Sequence, residues 1–324
     1  MPNYKSQALA LHLSHPIIDA HCDSITAYVA GERDLAKLSE DGHLDLPRLR
    51  LGKVRVQFLA SFVAPSYQQT QALIRCLELL DGCMRLITAN PAELLLFTTS
   101  DDIRTAITSD KVAVLLSVEG GEALAGQLYV LRTLYRLGVR SLTLTWNNAN
   151  ELAGGAYKPG PLTAFGHSVV QEMNTLGMLI DVSHLSELAF WDVVKASSQP
   201  IIASHSCCRA LHDHPRNLSD DQIKALAAGG GVIGINFFAD FLTGKEASLA
   251  DVVRHIEHVC NLVGPKHVGI GSDYDGCASV PEGLDDVTHL PALSEALLAR
   301  GFSTEDAAGI MGGNFLRVMQ EVLG

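Results

Sequence analysis

The chain has 324 residues, 47% of them hydrophobic, and a formal net charge of -12 at pH 7. That length and apolar content bury a sizeable core, while the acidic balance excludes broad binding of nucleic acid, which needs clustered Lys and Arg. The seven cysteines are odd in number, scattered and without a CxxC pair, so reduced thiols are expected rather than a disulfide framework or a structural zinc knuckle.

Residues 1–15 carry one lysine and only a brief Ala-Leu stretch, so no signal peptide is expected there, and no window approaches the roughly 20 apolar residues of a membrane span. From there, apolar runs follow at 16–20, 55–63, 111–118, 138–145, 178–182, 200–204, 231–237 and 267–271. Most lack polar alternation, as strands of a parallel sheet covered on both faces do. Segments with helical spacing lie between them at 69–90, 126–137, 164–176, 185–196, 219–228 and 249–262.

Strand and helix thus alternate about eight times, within the ~250 residues typical of a (β/α)8 barrel. The expectation is one α/β domain over 1–324, a TIM-type barrel with short extensions at each end. An open doubly wound sheet is the alternative, but no GxGxxG follows the first run. Gly120-Gly121, Gly154-Gly155 and Gly229-Gly230-Gly231 read as turns and tight strand starts.

In such a barrel the C-terminal strand ends converge on one mouth, and these runs end in chemistry-bearing residues. The first closes on His21-Cys22-Asp23, the third on Glu119, the fifth on His184, the sixth on His205 and the eighth on Asp273. Alternation along a strand places His21 and Asp23 on one face and Cys22 on the other. Three imidazoles and two carboxylates around one cavity suit a pair of zinc ions, provided one ligand is shared, and Glu119 is the natural bridge. Asp273 is then free to move a proton. Asp19, on the face of His21, is expected to orient an imidazole from behind.

The strings Ile18-Asp19-Ala20-His21-Cys22-Asp23, Ser117-Val118-Glu119-Gly120, Ile180-Asp181-Val182-Ser183-His184, Ala203-Ser204-His205-Ser206, Pro215-Arg216-Asn217-Leu218 and Gly269-Ile270-Gly271-Ser272-Asp273-Tyr274-Asp275-Gly276 follow one another along the chain. In this order the six resemble the renal (membrane) dipeptidase family of zinc peptidases. The resemblance covers residues 16–320 and implies an amidohydrolase-like barrel that hydrolyses dipeptides, including those with a C-terminal D residue, by a hydroxide bridging two Zn²⁺ per chain.

The resemblance further implies that His21, Asp23 and Glu119 hold one ion and Glu119, His184 and His205 the other. Glu119 and Asp273 are then the catalytic carboxylates, Asp273 sitting near the substrate's N-terminal side, and Arg216 pairs with the substrate carboxylate. It also implies a homodimer. The family's animal members carry a secretory signal and a lipid-anchor tail, neither of which is seen in this sequence, so a cytoplasmic location is the default expectation. One position departs: Trp146 stands where the mammalian enzymes place a substrate-binding histidine, and an indole N–H donates but exchanges no proton near neutral pH. Trp146 is therefore expected to narrow the pocket and alter dipeptide preference, beside Asn147 at the substrate, while zinc does more of the oxyanion work or Asn147 or Asn148 contributes to it.

The rival reading is a barrel amidohydrolase acting on an N-acyl amino acid, cyclic amide or lactone. Such enzymes place His-x-His on the first strand, where this chain has His-x-Asp. The His212-x-His214 pair lies in a polar loop and is expected to serve the surface or a substrate loop. His12, His15, His43, His167, His255, His258, His267 and His289 are expected at ends or faces remote from the site. Cys22, Cys207 and Cys208 are expected to pack, and Phe237, Phe238 and Tyr274 to form core or pocket wall.

Overall fold

Eight parallel strands close on themselves in the computed structural model, which describes residues 3–324. In chain order the strands are β1 (Ile17–Asp19), β2 (Val54–Phe62), β3 (Leu94–Leu96), β4 (Val112–Glu119), β5 (Val139–Thr143), β6 (Ala153–Gly155), β7 (Lys158–Leu162), β8 (Leu179–Asp181), β9 (Ile202–Ser206), β10 (Val232–Ile235) and β11 (Val268–Ile270). The sheet runs β2-β1-β11-β10-β9-β8-β5-β4, and β4 pairs back onto β2 to complete the (β/α)8 barrel. Each of the eight apolar runs supplies one barrel strand.

The expected helices are present, among them Thr70–Ala89, Ala164–Leu176, Asp220–Ala228 and Leu249–Val263. Local chemistry sets their ends. Ser219 and Gln222 form a capping box, the Thr163 hydroxyl accepts from Gly166 N–H, and Gly177 stops its helix in a left-handed conformation at φ 68. Helices at Tyr4–Ser14, Leu46–Gly52, Ser100–Ser109 and Leu290–Ala299 were not predicted.

Two strand features also differ from expectation. β3 pairs with the first residues of β4, on the edge that β5 takes over from Leu116. Gly154 and Gly155 belong to an antiparallel hairpin, β6–β7, rather than to a turn. A Cβ on Gly155 would lie 2.4 Å from the Asn148 carbonyl oxygen and 2.5 Å from that of Trp146, so only glycine lets the hairpin pack on that segment.

The floor of the barrel is apolar. Ile18, Val56, Phe58, Ala113, Leu115, Ile202 and Val232 meet Phe315, Val318 and Met319 of the last helix, Asn314–Leu323. Strand alternation continues the inward row Ala113, Leu115, Ser117 to Glu119 at the opposite end. Among the described residues no helix is long and apolar enough to cross a membrane. All seven cysteines are unpaired, and Cys22, Cys207 and Cys208 are buried in packing, as expected.

Candidate metal centre and substrate cavity

Glu119, the last residue of β4, divides its two carboxylate oxygens between two groups of side chains. Its Oε2 lies 3.4 Å from His21 Nε2, which is also 3.3 Å from Asp23 Oδ2. Its Oε1 lies 2.8 Å from His184 Nε2 and 3.7 Å from His205 Nε2. The ligand atoms of His21, Asp23 and Glu119 fall within 4.8 Å of one another, as do those of Glu119, His184 and His205. The His21, His205 and Asp273 atoms satisfy the same limit. Asp23 Oδ1 is buried without a partner. Imidazoles and carboxylates with unmet ligand capacity, gathered at the C-terminal strand ends, fit a pair of divalent ions.

Local backbone geometry aims these groups. β1 ends at Asp19, so His21 and Asp23 stand just beyond the strand rather than on it, and the Cys22–Tyr274 bridge continues the pairing there. His184 and Asp273 adopt left-handed φ of 68 and 62, a conformation that is tolerated for His and Asp but costs free energy and marks constrained positions. A Cβ at Gly276 would sit 2.1 Å from Asp23 Oδ2 and 2.5 Å from Asp273 Oδ1. Glycine there is what lets two carboxylates share one wall of the site.

Burial and charge set the protonation of the cluster. Burial opposes charge on His21, but Glu119 and Asp23 raise its pKa well above the usual histidine value. Burial lowers His184 to about 4 and His205 well below its ordinary value, so both are neutral donors ready for a metal. Glu119, despite burial, is held far below the carboxylate range by His21 and His184. Burial lifts Asp273 to about 7, with Asp23 and Glu119 adding to the rise and His21 opposing it.

Hydrogen bonds from behind fix these side chains. His205 Nδ1 is 2.7 Å from Ser204 Oγ, which donates to Asp181 at 2.5 Å, and Asp181 also accepts from the Ser183 and Ser204 N–H groups. His184 Nδ1 lies 2.8 Å from Asn147 Oδ1. Asn147 lines the cavity, with its amide oxygen committed to orienting His184. Asn148 donates to Glu122 at 2.8 Å. Asp19 does not orient an imidazole. It accepts from Ser272 N and Oγ and from Gln57 Nε2, and so ties β11 and β2 to β1.

A cavity of about 300 Å³ opens onto the cluster, lined by Asp23, Glu119, His184 and Asp273 on one side and by Phe62, Trp146, Phe238 and Phe241 on the other. Trp146 sits against Phe62, with ring centroids 5.4 Å apart. Of the expected aromatic candidates, Phe238 reaches the cavity, whereas Phe237 and Tyr274 are core. Arg216 is buried beside the cavity, 5.3 Å from the ring of Phe241, and gives Nη2 to the His205 backbone oxygen at 3.1 Å. His43 is nearer the mouth than expected, exchanging hydrogen bonds with Asp275, which Arg33 and Ser24 also hold.

Sequence reasoning missed Asn236, whose Nδ2 donates to Asp273 Oδ2 at 2.9 Å. A polar side chain inside the apolar run 231–237, just past the end of β10, was the available signal. Phe62 and Phe241 carried no signal apart from their apolar neighbours.

Relatives share this architecture. A family model described as membrane dipeptidase (peptidase family M19) matches residues 5–323. Dipeptidase 3 of Mus musculus is 35% identical over 336 residues, covering 99% of this chain and 67% of that protein, and Dipeptidase 3 of Homo sapiens is 36% identical over 333 residues, covering 98% and 67%. The crystal structure of dipeptidase AC, a metallopeptidase of family M19, superposes with a TM-score of 0.91 at 29% identity, over 96% of this chain and 99% of that one. A metallopeptidase from Rhodobacter sphaeroides, liganded with a phosphinate mimic of the dipeptide L-Ala-D-Ala, gives 0.90 at 28% identity over 95% and 99%. The chain belongs to the membrane dipeptidase family of metallopeptidases, peptidase family M19.

Proposed function

We propose that this metallodipeptidase holds two zinc ions, one by His21, Asp23 and Glu119 and one by Glu119, His184 and His205, and cleaves dipeptides that include those with a C-terminal D residue. The observation that carries the reading is the division of Glu119, one oxygen toward each group. Two zinc ions bound there would lower the pKa of a shared water toward neutrality and polarise a peptide carbonyl.

The chain's own residues supply the rest. Asp273, with Oδ2 fixed by Asn236 and a pKa near 7, moves a proton to the leaving amine. Arg216 is a buried cation with its Nε unpartnered, and its polar contact is to a backbone oxygen, so it accepts the terminal carboxylate of the substrate as its anion. With that carboxylate anchored beside the metals, only one residue fits beyond the scissile bond. Trp146 and Phe62 narrow the wall and set side-chain preference.

The relative that binds an L-Ala-D-Ala mimic supports the D configuration. Seven unpaired cysteines support a reducing, cytoplasmic setting. A single domain, supported by the family match over residues 5–323, and a homodimer complete the reading.

Hydrolysis of L,L and L,D dipeptides, run beside N-acyl amino acids, tests the reading on zinc-loaded and chelated protein. Turnover of dipeptides, L,D pairs included, is expected, with loss on chelation and recovery on adding zinc. No dipeptide turnover with two ions bound would overturn it, and turnover of N-acyl amino acids alone would favour the rival amidohydrolase.

A further inference from the structure

Three elements that are distant in sequence meet at His214, in the loop between β9 and the helix Asp220–Ala228. Its Nδ1 accepts the backbone N–H of Arg216 at 3.1 Å. Its Nε2 lies 3.3 Å from the hydroxyl of Tyr157, at the tip of the β6–β7 hairpin, and 3.7 Å from Asp240 Oδ2. Its ring packs on Phe241 with centroids 4.6 Å apart, the same phenyl ring that lies 5.3 Å from the Arg216 guanidinium.

The contact with Arg216 fixes the tautomer. A backbone N–H always donates, so Nδ1 must be bare and the proton must sit on Nε2, directed at Tyr157 and Asp240. The hairpin on the other side is rooted at the metal cluster, since Ala156 N–H donates to the His184 carbonyl at 2.8 Å and Tyr157 N–H to that of Asn147 at 2.9 Å. The chain from the His184 carbonyl through the hairpin, Tyr157 and His214 to the Arg216 N–H is therefore a strut between the backbone at the candidate metal cluster and the backbone that carries the buried guanidinium.

We infer that His214 is a positioning residue for substrate binding, braced by Tyr157, that holds Arg216 in register with the metal centre and so measures the length of the dipeptide. This rests on the reading of Arg216 as the partner of the substrate carboxylate. A ring that supports only the backbone of Arg216 acts on affinity for that carboxylate and leaves the chemistry at the scissile bond untouched.

The test is steady-state kinetics on the zinc-loaded enzyme with a dipeptide as substrate and the corresponding dipeptide amide as competitor, in His214→Ala, His214→Asn, Tyr157→Phe and Arg216→Met. Removing one such hydrogen bond is expected to raise KM for the dipeptide roughly tenfold in His214→Ala with kcat within about twofold, and to leave inhibition by the amide unchanged. Asn, whose Oδ1 replaces Nδ1 as the acceptor, is expected to recover most of the loss, and Tyr157→Phe to raise KM about twofold. A parallel fall in kcat, an equal loss of amide binding, or an unchanged KM in His214→Ala would each overturn the proposal. Arg216→Met separates the two ideas: if it weakens acid and amide alike, the carboxylate reading fails, and if it discriminates while His214→Ala does not, the strut alone fails.

Discussion

The two ends of the barrel are built from the same eight strands and obey opposite rules. At the floor, Ile18, Phe58, Leu115 and Ile202 close on Phe315 in a dry, apolar plug. At the mouth, the same strands end in His21, Glu119, His184, His205 and Asp273, all buried and ionisable. Between them lie Asp19 with Ser272, and Asp181 with Ser204, each carboxylate accepting two backbone N–H groups or hydroxyls from a neighbouring strand. The floor provides stability through burial, whereas the mouth concentrates uncompensated ligand capacity and left-handed backbone, at a cost that the rest of the barrel offsets.

The sharpest way to break this division is Glu119→Gln, which leaves the shape of the mouth and removes its shared charge. Zinc content is expected to fall below two per chain and kcat for a dipeptide to drop by roughly 10³-fold or more, with the far-ultraviolet dichroism of the folded barrel retained. Phe315→Ala does the converse. A cavity at the floor is expected to cost about 3–5 kcal/mol in denaturant unfolding, while kcat of the remaining folded protein stays near that of the parent. If Phe315→Ala changed kcat as strongly as stability, the two ends would not be independent.

A buried titratable group away from the mouth sharpens the contrast. His12 sits between the Gly52 carbonyl and Ser294 Oγ, and burial lowers its pKa from 6.5 to about 4. The unfolded chain therefore binds the proton more readily than the fold. The contribution of neutral His12 is complete above pH 6.5 and is lost as pH falls toward 4, which amounts to roughly 2–3 kcal/mol. Unfolding followed across that window is expected to show a decline that His12→Gln flattens; an equal decline in the variant would assign the acid sensitivity elsewhere. The smallest expected effect is at Trp146→His, a shift in the ranking of dipeptide side chains with zinc content unchanged. An identical substrate profile would remove Trp146 from the specificity wall.

The contrast also explains what could be read from the sequence. Apolar runs, most of them without polar alternation, mark all eight barrel strands, because a sheet covered on both faces writes itself largely as Val, Ile and Leu. The candidate ligands were legible because each is a polar residue at the end of such a run. β7 was not, since Lys158–Leu162 contains two prolines and survives only as part of an isolated hairpin. Nor were the roles of Asn147 and Asp19, whose partners His184 and Ser272 lie far along the chain. Likewise the shielding of Arg216 by Phe241 arises only when loops from different strands meet at the mouth.

The central claim is that Glu119 joins two metal positions into one centre. Titrating metal-free protein with zinc while following dipeptide hydrolysis tests it most directly. Activity is expected to rise to its limit only as the second equivalent per chain binds. Full activity at one equivalent, or hydrolysis that survives complete removal of metal, would contradict it.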